Sequence, residues 1–257
     1  SFIQSLKTHT FKIQSFNIHS LTNMYKILTS ICLIVGLSLT TTAQDCNFFP
    51  LIEGATFEIT TYSASGKAEA VTSTKVTEVR NISGGVSAVV SSEITGGEVK
   101  EKVGLSYEVK CVNGELQINM SDMFNTESMQ DMMGGQGMDV DMKVESDNLI
   151  FPSRMDIGKT LPNATMKMQM KAMGMEMDIT TIISERKVEK KEKLTTPAGT
   201  FDCYKMTYLT STDGMMGMKM NFRSTAWYNE KVGMVRTEDY DQVGKINSYT
   251  ELTAFKE

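Results

Sequence analysis

Methionine is the residue type in this sequence whose number and spacing could do chemistry, with 21 among 257 residues. The runs MKMQM (Met166–Met170), MGMEM (Met173–Met177) and MMGMKM (Met215–Met220) place thioethers at alternate positions, and MQDMM adds more. On a strand, alternation brings Met166, Met168 and Met170 to one face. Soft thioether sulfur selects Cu(I) or Ag(I). A second methionine strand opposite, carrying Met218 and Met220, would complete a site for such an ion. Copper carriers often add a histidine or cysteine to such a set, and histidine is missing from it. The plainer reading is that methionine serves as deformable packing, and a third is that it lines a pocket for varied apolar ligands.

Only two histidines occur, His9 and His19. Residues 44–257 therefore lack the commonest general base, the Ser-His and Cys-His pairs and the usual zinc ligand sets. Acidic pairs such as Asp139/Asp141 and Glu238/Asp239 alternate on strands in the manner of solvated carboxylates. The expectation is no enzyme, no catalytic residue and no cofactor. The mixed run Glu185–Lys193 reads as an exposed strand or hairpin. Cysteine offers Cys46, Cys111 and Cys203, with no CxxC and no metal-binding spacing. In an oxidising compartment they predict one disulfide and one odd thiol. Cys111 and Cys203 both sit in predicted strands while Cys46 lies near a terminus expected to be mobile, so Cys111–Cys203 is the expected pair.

The elements that must position these residues begin after an export signal. In Met24–Ala43, Lys26 precedes the apolar run Ile27–Leu39, and small residues close the segment before Gln44. The run is short for a transmembrane helix, which needs about 20 residues. Residues 1–23 are expected to lie outside the native protein, 24–43 to form a signal peptide, and 44–257 to form a single exported β domain without a transmembrane anchor. It would be soluble in the periplasm or outside the cell. That domain holds 23 basic and 31 acidic residues, a net charge of −8, which argues against nucleic acid as a partner.

From Gly54 onward, short alternating segments are punctuated by turn residues. Ser65-Gly66-Lys67, Asn81–Gly85 and Val112-Asn113-Gly114 each predict a hairpin. In LSYEVKC, Leu105, Tyr107, Val109 and Cys111 share a face. Residues 121–133 break the pattern and predict a short helix capped by Ser121, or a loop. The change of methionine parity at Lys171–Gly174 marks a turn or a bulge. The four prolines fall at element edges or in loops. A dozen or so strands with little helix must protect their edges, so the expected fold is a mostly-β antiparallel meander closing into a barrel-like, half-barrel or sandwich structure.

Two segments, LTTPAGTFDCYKM (Leu194–Met206) and AWYNEKVGMVRTE (Ala226–Glu238), resemble the TapB-like family of exported bacterial β-proteins. RKVEKKEKL and the Cys46…Phe49-Pro50…Gly54 segment are similar to its members from Gram-negative envelopes. These motifs are structural, so the resemblance implies a fold and an exported location without supplying a site. The leading functional expectation is a non-catalytic cell-envelope protein that binds an apolar or lipid-like molecule or assists envelope assembly, with another envelope protein as a further partner class. The alternative is a methionine-rich Cu(I)- or Ag(I)-binding protein using Met166, Met168, Met170, Met218 and Met220.

Overall fold

At Asn113 and Gly114 both φ angles are positive, 52° and 79°, the backbone that a two-residue hairpin needs. Val112 consequently faces Glu115 across the turn. This turn links two of the thirteen strands of the computed structural model, which describes residues 46–96, 99–123, 140–172, 175–215 and 218–257. The expected upstream segment and signal peptide, 1–23 and 24–43, lie outside the described residues.

The first five strands are β1 (Thr56–Ser63), β2 (Ala68–Ile82), β3 (Gly85–Gly96), β4 (Val99–Val112) and β5 (Glu115–Asn119). A short helix, α1 (Met120–Met123), follows β5, and then come β6 (Val140–Ser146) and β7 (Asn148–Pro152). The chain continues with β8 (Ala164–Ala172), β9 (Met175–Thr196), β10 (Gly199–Met215), β11 (Met218–Asn229), β12 (Gly233–Tyr240) and β13 (Ile246–Lys256). They form one antiparallel sheet in the order β6-β8-β9-β10-β11-β12-β13-β1-β2-β3-β4-β5-β7. The two outermost strands are consecutive in sequence, with only Asp147 between them. The sheet therefore curls until its ends meet and nearly closes into a barrel, as the edge argument requires. Pro152 ends β7, on an outermost strand where its missing N–H breaks no ladder.

The helix is capped by Asn119 rather than by Ser121. Asn119 Oδ1 accepts from the Ser121 backbone N–H at 2.9 Å and from the Ser121 hydroxyl at 2.6 Å. The remainder of the expected helix, 124–133, lies outside the described residues. On either side of the parity change in the methionine segment, β8 and β9 pair antiparallel, with Ala172 opposite Met175.

The main core cluster joins Val90, Val109 and Leu116 of β3–β5 to Val188, Met206 and Tyr204 of β9 and β10, with Phe48, Phe151 and Met155. Strands so far apart in the sheet order can share a core only across the enclosed face. The segment before β1 is part of that core. Phe48 is 3% exposed, its N–H donates to the Glu230 carbonyl at 2.8 Å, and Asn47 Nδ2 donates to the Ser153 carbonyl at 2.7 Å.

That anchoring overturns the expected disulfide. Cys46 bonds Cys111, with Cα atoms 5.7 Å apart, and Cys203 is free and buried. The stretch around Cys46 was expected to be mobile, but insertion of Phe48 among core residues holds it beside β4. Cys203 meanwhile packs in a different cluster, with Phe57, Trp227, Val232, Val235 and Leu252. Among the described residues no helix is long and apolar enough to cross a membrane.

Candidate functional site

Along the first half of β9, Ile183 packs with Ala164 and Met166 of β8, so its odd-numbered residues face inward. Strict alternation would next turn Glu185 in and Arg186 out. Instead Glu185 takes a φ of 52° and the register with β10 shifts between Thr207 and Leu209, opposite Tyr208. A bulge of this kind exchanges the two faces. Glu185 is left outside, paired with Arg223 at 3.3 Å, and Arg186 is driven inward to 1% exposure. The left-handed backbone at Glu185 costs about 1–2 kcal/mol, and its structural product is the orientation of Arg186.

The buried guanidinium has few compensating contacts. Nη1 donates to the Pro162 carbonyl at 2.9 Å, and the cation lies 4.8 Å from the centre of the Phe151 ring. Nη2 is buried and has no hydrogen-bond partner. None of the ion pairs among the described residues involves Arg186, and its pKa is lowered by burial, with Tyr228 and Tyr208 acting weakly the other way. A desolvated cation–π contact returns about 2 kcal/mol and a charged hydrogen bond about 1.5–3 kcal/mol. Burying an ion costs several kcal/mol even after relaxation. The site holds an uncancelled positive charge with a donor to spare.

Its walls are aromatic and apolar. Tyr228 lies against Phe151, ring centres 5.0 Å apart. Tyr107, Ile118, Leu149, Leu161, Tyr208 and Tyr228 pack around the main cluster yet remain half-buried. Burial raises the pKa of Tyr208, of Tyr228 and of Tyr107, the last partly opposed by a hydrogen bond with Ser92. The arrangement sets one buried guanidinium among aromatic and aliphatic side chains.

The methionines meet in a different pattern from the one expected. Met166 is buried and Met168 and Met170 are half-buried on one face of β8, while Lys167, Gln169 and Lys171 are exposed on the other. Met170 stands opposite Met142 of β6 on one side and Met177 of β9 on the other. Met220 stands opposite Thr212, which stands opposite Thr181, which stands opposite Met166. Two strands thus separate Met166 from Met220, about 14 Å along the sheet, so β11 is not the facing methionine strand. Among the described residues no group of three His, Cys, Asp or Glu side chains could hold a metal.

Of the acidic pairs, Asp139 lies outside the described residues. Glu238 accepts from Arg236 at 2.8 Å and Asp239 from the Ser224 hydroxyl at 2.6 Å, both structural partnerships. Trp227 is core, 6% exposed, and its indole N–H donates to Glu192 at 2.9 Å. Arg186 was missed because the charge run around it reads as solvated. The signal present was its shared parity with Val188, the one apolar residue of that run.

A single antiparallel sheet of thirteen strands, nearly closed into a barrel, defines the class of protein among the described residues. The chain belongs to the DUF3108-like family, which it matches over residues 52–252. Two solved structures share the fold. One is from Bacteroides fragilis and is described as an exported protein with a YmcC-like fold. It is 22% identical at a TM-score of 0.64, and the match covers 82% of this chain and 100% of that one. The other, from Parabacteroides distasonis, is described as a lipoprotein. It is 26% identical at a TM-score of 0.65, with the same coverage of 82% and 100%. No curated protein matches the chain.

Proposed function

We propose that this is a non-catalytic exported protein of the bacterial cell envelope that binds an apolar or lipid-like ligand on the inner face of its barrel. The observation that carries the reading is the set of half-buried tyrosine and aliphatic side chains packed around the main cluster beside the buried Arg186. Pockets for such ligands are concave and mostly apolar, with a few placed polar groups. Export is supported by the descriptions of the two similar structures and by the Cys46–Cys111 bond, which suits an oxidising compartment. The finer likeness to the TapB-like family belongs with the same reading: its two segments are the β9–β10 corner and the β11–β12 hairpin, which frame the wall that carries Tyr208 and Tyr228.

The competing reading, Cu(I) or Ag(I) held by thioethers, draws on the row Met142–Met170–Met177 across three adjacent strands. One set of titrations separates the two. The neutral fluorophore N-phenyl-naphthylamine should bind the parent saturably and be displaced by dodecanol. Replacing Met166, Met168 and Met170 together with leucine should leave this binding within a few-fold and lower stability by under about 1.5 kcal/mol per site. Absence of saturable fluorophore binding overturns the apolar-ligand reading. A one-to-one Cu(I) complex in the parent that resists a competing chelator and is lost in the triple variant establishes the metal reading instead.

A further inference from the structure

The structure assigns a head-group chemistry to that ligand: we infer that it is an amphiphile whose anionic head, a carboxylate or a phosphate, pairs with Arg186. The inference rests on the proposed apolar-ligand reading and adds to it the charge and the orientation of the bound molecule. Arg186 brings a full positive charge beside the interior cluster, and a backbone bulge turns it there in place of Glu185, while the nearest carboxylate on that face, Asp239, stands beyond Tyr208 and Ser224 and accepts from the Ser224 hydroxyl. Nη2 is an orphaned buried donor, a group that structures rarely leave unpaired without a reason. A guanidinium presents a planar fork that matches a carboxylate or phosphate with two parallel hydrogen bonds. The Tyr208 and Tyr228 side chains pack beside it on β10 and β11 and would flank such a head.

The same face supplies a path for the tail. Preceding Arg186 on β9, Ile183, Thr181, Ile179 and Met177 stand opposite Ala164, Met166, Met168 and Met170 of β8. From Ile183 to Met177 this strip runs about 20 Å at the rise of a β-strand, comparable with an extended acyl chain. It is paved on one side by methionine, which adapts its shape to tails of differing length and branching. The head would therefore sit at the bulge and the tail would run along the β8–β9 hairpin.

Calorimetric titration of the exported chain with dodecanoate, dodecyl phosphate, dodecanol, acetate and inorganic phosphate, all below micelle-forming concentrations, tests this. Both tailed anions should bind at least about tenfold more tightly than dodecanol, and the tailless anions should not bind measurably. Whichever tailed anion is tighter identifies the head. In Arg186→Met, dodecanol should bind as in the parent and the preference for the anions should vanish. Arg186→Lys keeps the charge without the fork, so it should retain a reduced preference and stands in if the methionine variant does not fold. Equal binding of dodecanol and dodecanoate by the parent, or an undiminished preference in Arg186→Met, overturns the inference and leaves the apolar-ligand reading in place. Inorganic phosphate binding as tightly as dodecyl phosphate makes this a small-anion site and overturns the amphiphile. Failure of every tailed probe to bind removes both readings.

Discussion

Cys203 shows how the environment of a single residue decides its chemistry. Its thiol lies at 0% exposure, Sγ donates toward the Phe201 carbonyl at 3.6 Å, and burial pushes its pKa up to about 12, with Asp202 and Glu192 adding to the effect. A thiol held protonated is a poor nucleophile. Among residues 44–257, iodoacetamide should therefore label no cysteine in the native oxidised protein, one after unfolding and three after unfolding with reductant, as peptide mapping can count. Rapid labelling of Cys203 in the native state would contradict its placement in the core. At this scale the sequence misled twice, for related reasons. The position of Cys46 near the expected mature start predicts a loose segment, yet the nearby Phe48-Phe49 pair signals aromatic surface to bury. Arg186 was taken as solvated because its neighbours are charged, although a strand buries by parity and not by local composition.

Between strands, the outer surface of β2–β4 carries a rung of polar contacts that is pH-dependent in a calculable direction. Glu108 accepts from Lys110 at 2.7 Å, from Arg80 at 2.6 Å and from the Ser87 hydroxyl. The Lys110 contact is the largest cause holding its pKa down, at about 2, followed by Ser87 and Arg80. Because the folded value is depressed, this contribution is fully present above the ordinary carboxylate range and is lost as pH falls from that range toward 2. Both cations are about half exposed and screened, so Glu108→Gln should lower stability at pH 7 by only about 1 kcal/mol. The gap between variant and parent in urea melts should close as pH approaches 2, and a gap independent of pH would contradict the assignment. The hairpins themselves were legible, because Asn113-Gly114, Ser65-Gly66 and the glycines after Ile82 carry turn chemistry in their residue types. What local pattern does not encode is the destination of each strand. Nothing in the composition of Val140–Ser146 and Asn148–Pro152 says that they occupy opposite ends of the sheet order.

For the molecule as a whole, the Cys46–Cys111 bond ties the segment before β1 to β4 across 65 residues. Closing a loop of that length is worth about 4 kcal/mol in the chain-entropy account, which for a chain of this size corresponds to roughly 10 °C in melting temperature. Reduction, or Cys46→Ser with Cys111→Ser, should lower the melting temperature by about that amount, read by circular dichroism. Cys203→Ser tested alone keeps the crosslink and serves as the control. Among the described residues the barrel wall is not woven between its two outermost strands, β6 and β7. The strands flanking Asp147 belong to opposite edges, and among the described residues hydrogen bonds through the Asn119 and Ser146 side chains join them. There Asn119 Oδ1 accepts from the Ser146 hydroxyl at 2.7 Å, while Ser146 Oγ accepts from the Ser121 N–H at 2.7 Å. Releasing such a clasp costs about 1 kcal/mol per bond, whereas parting any other neighbouring strands would tear a whole ladder. Asp147, the residue at which the two edges join, is itself held to β8, its N–H donating to the Thr165 carbonyl at 2.8 Å and its carboxylate accepting from the Thr165 N–H at 3.2 Å.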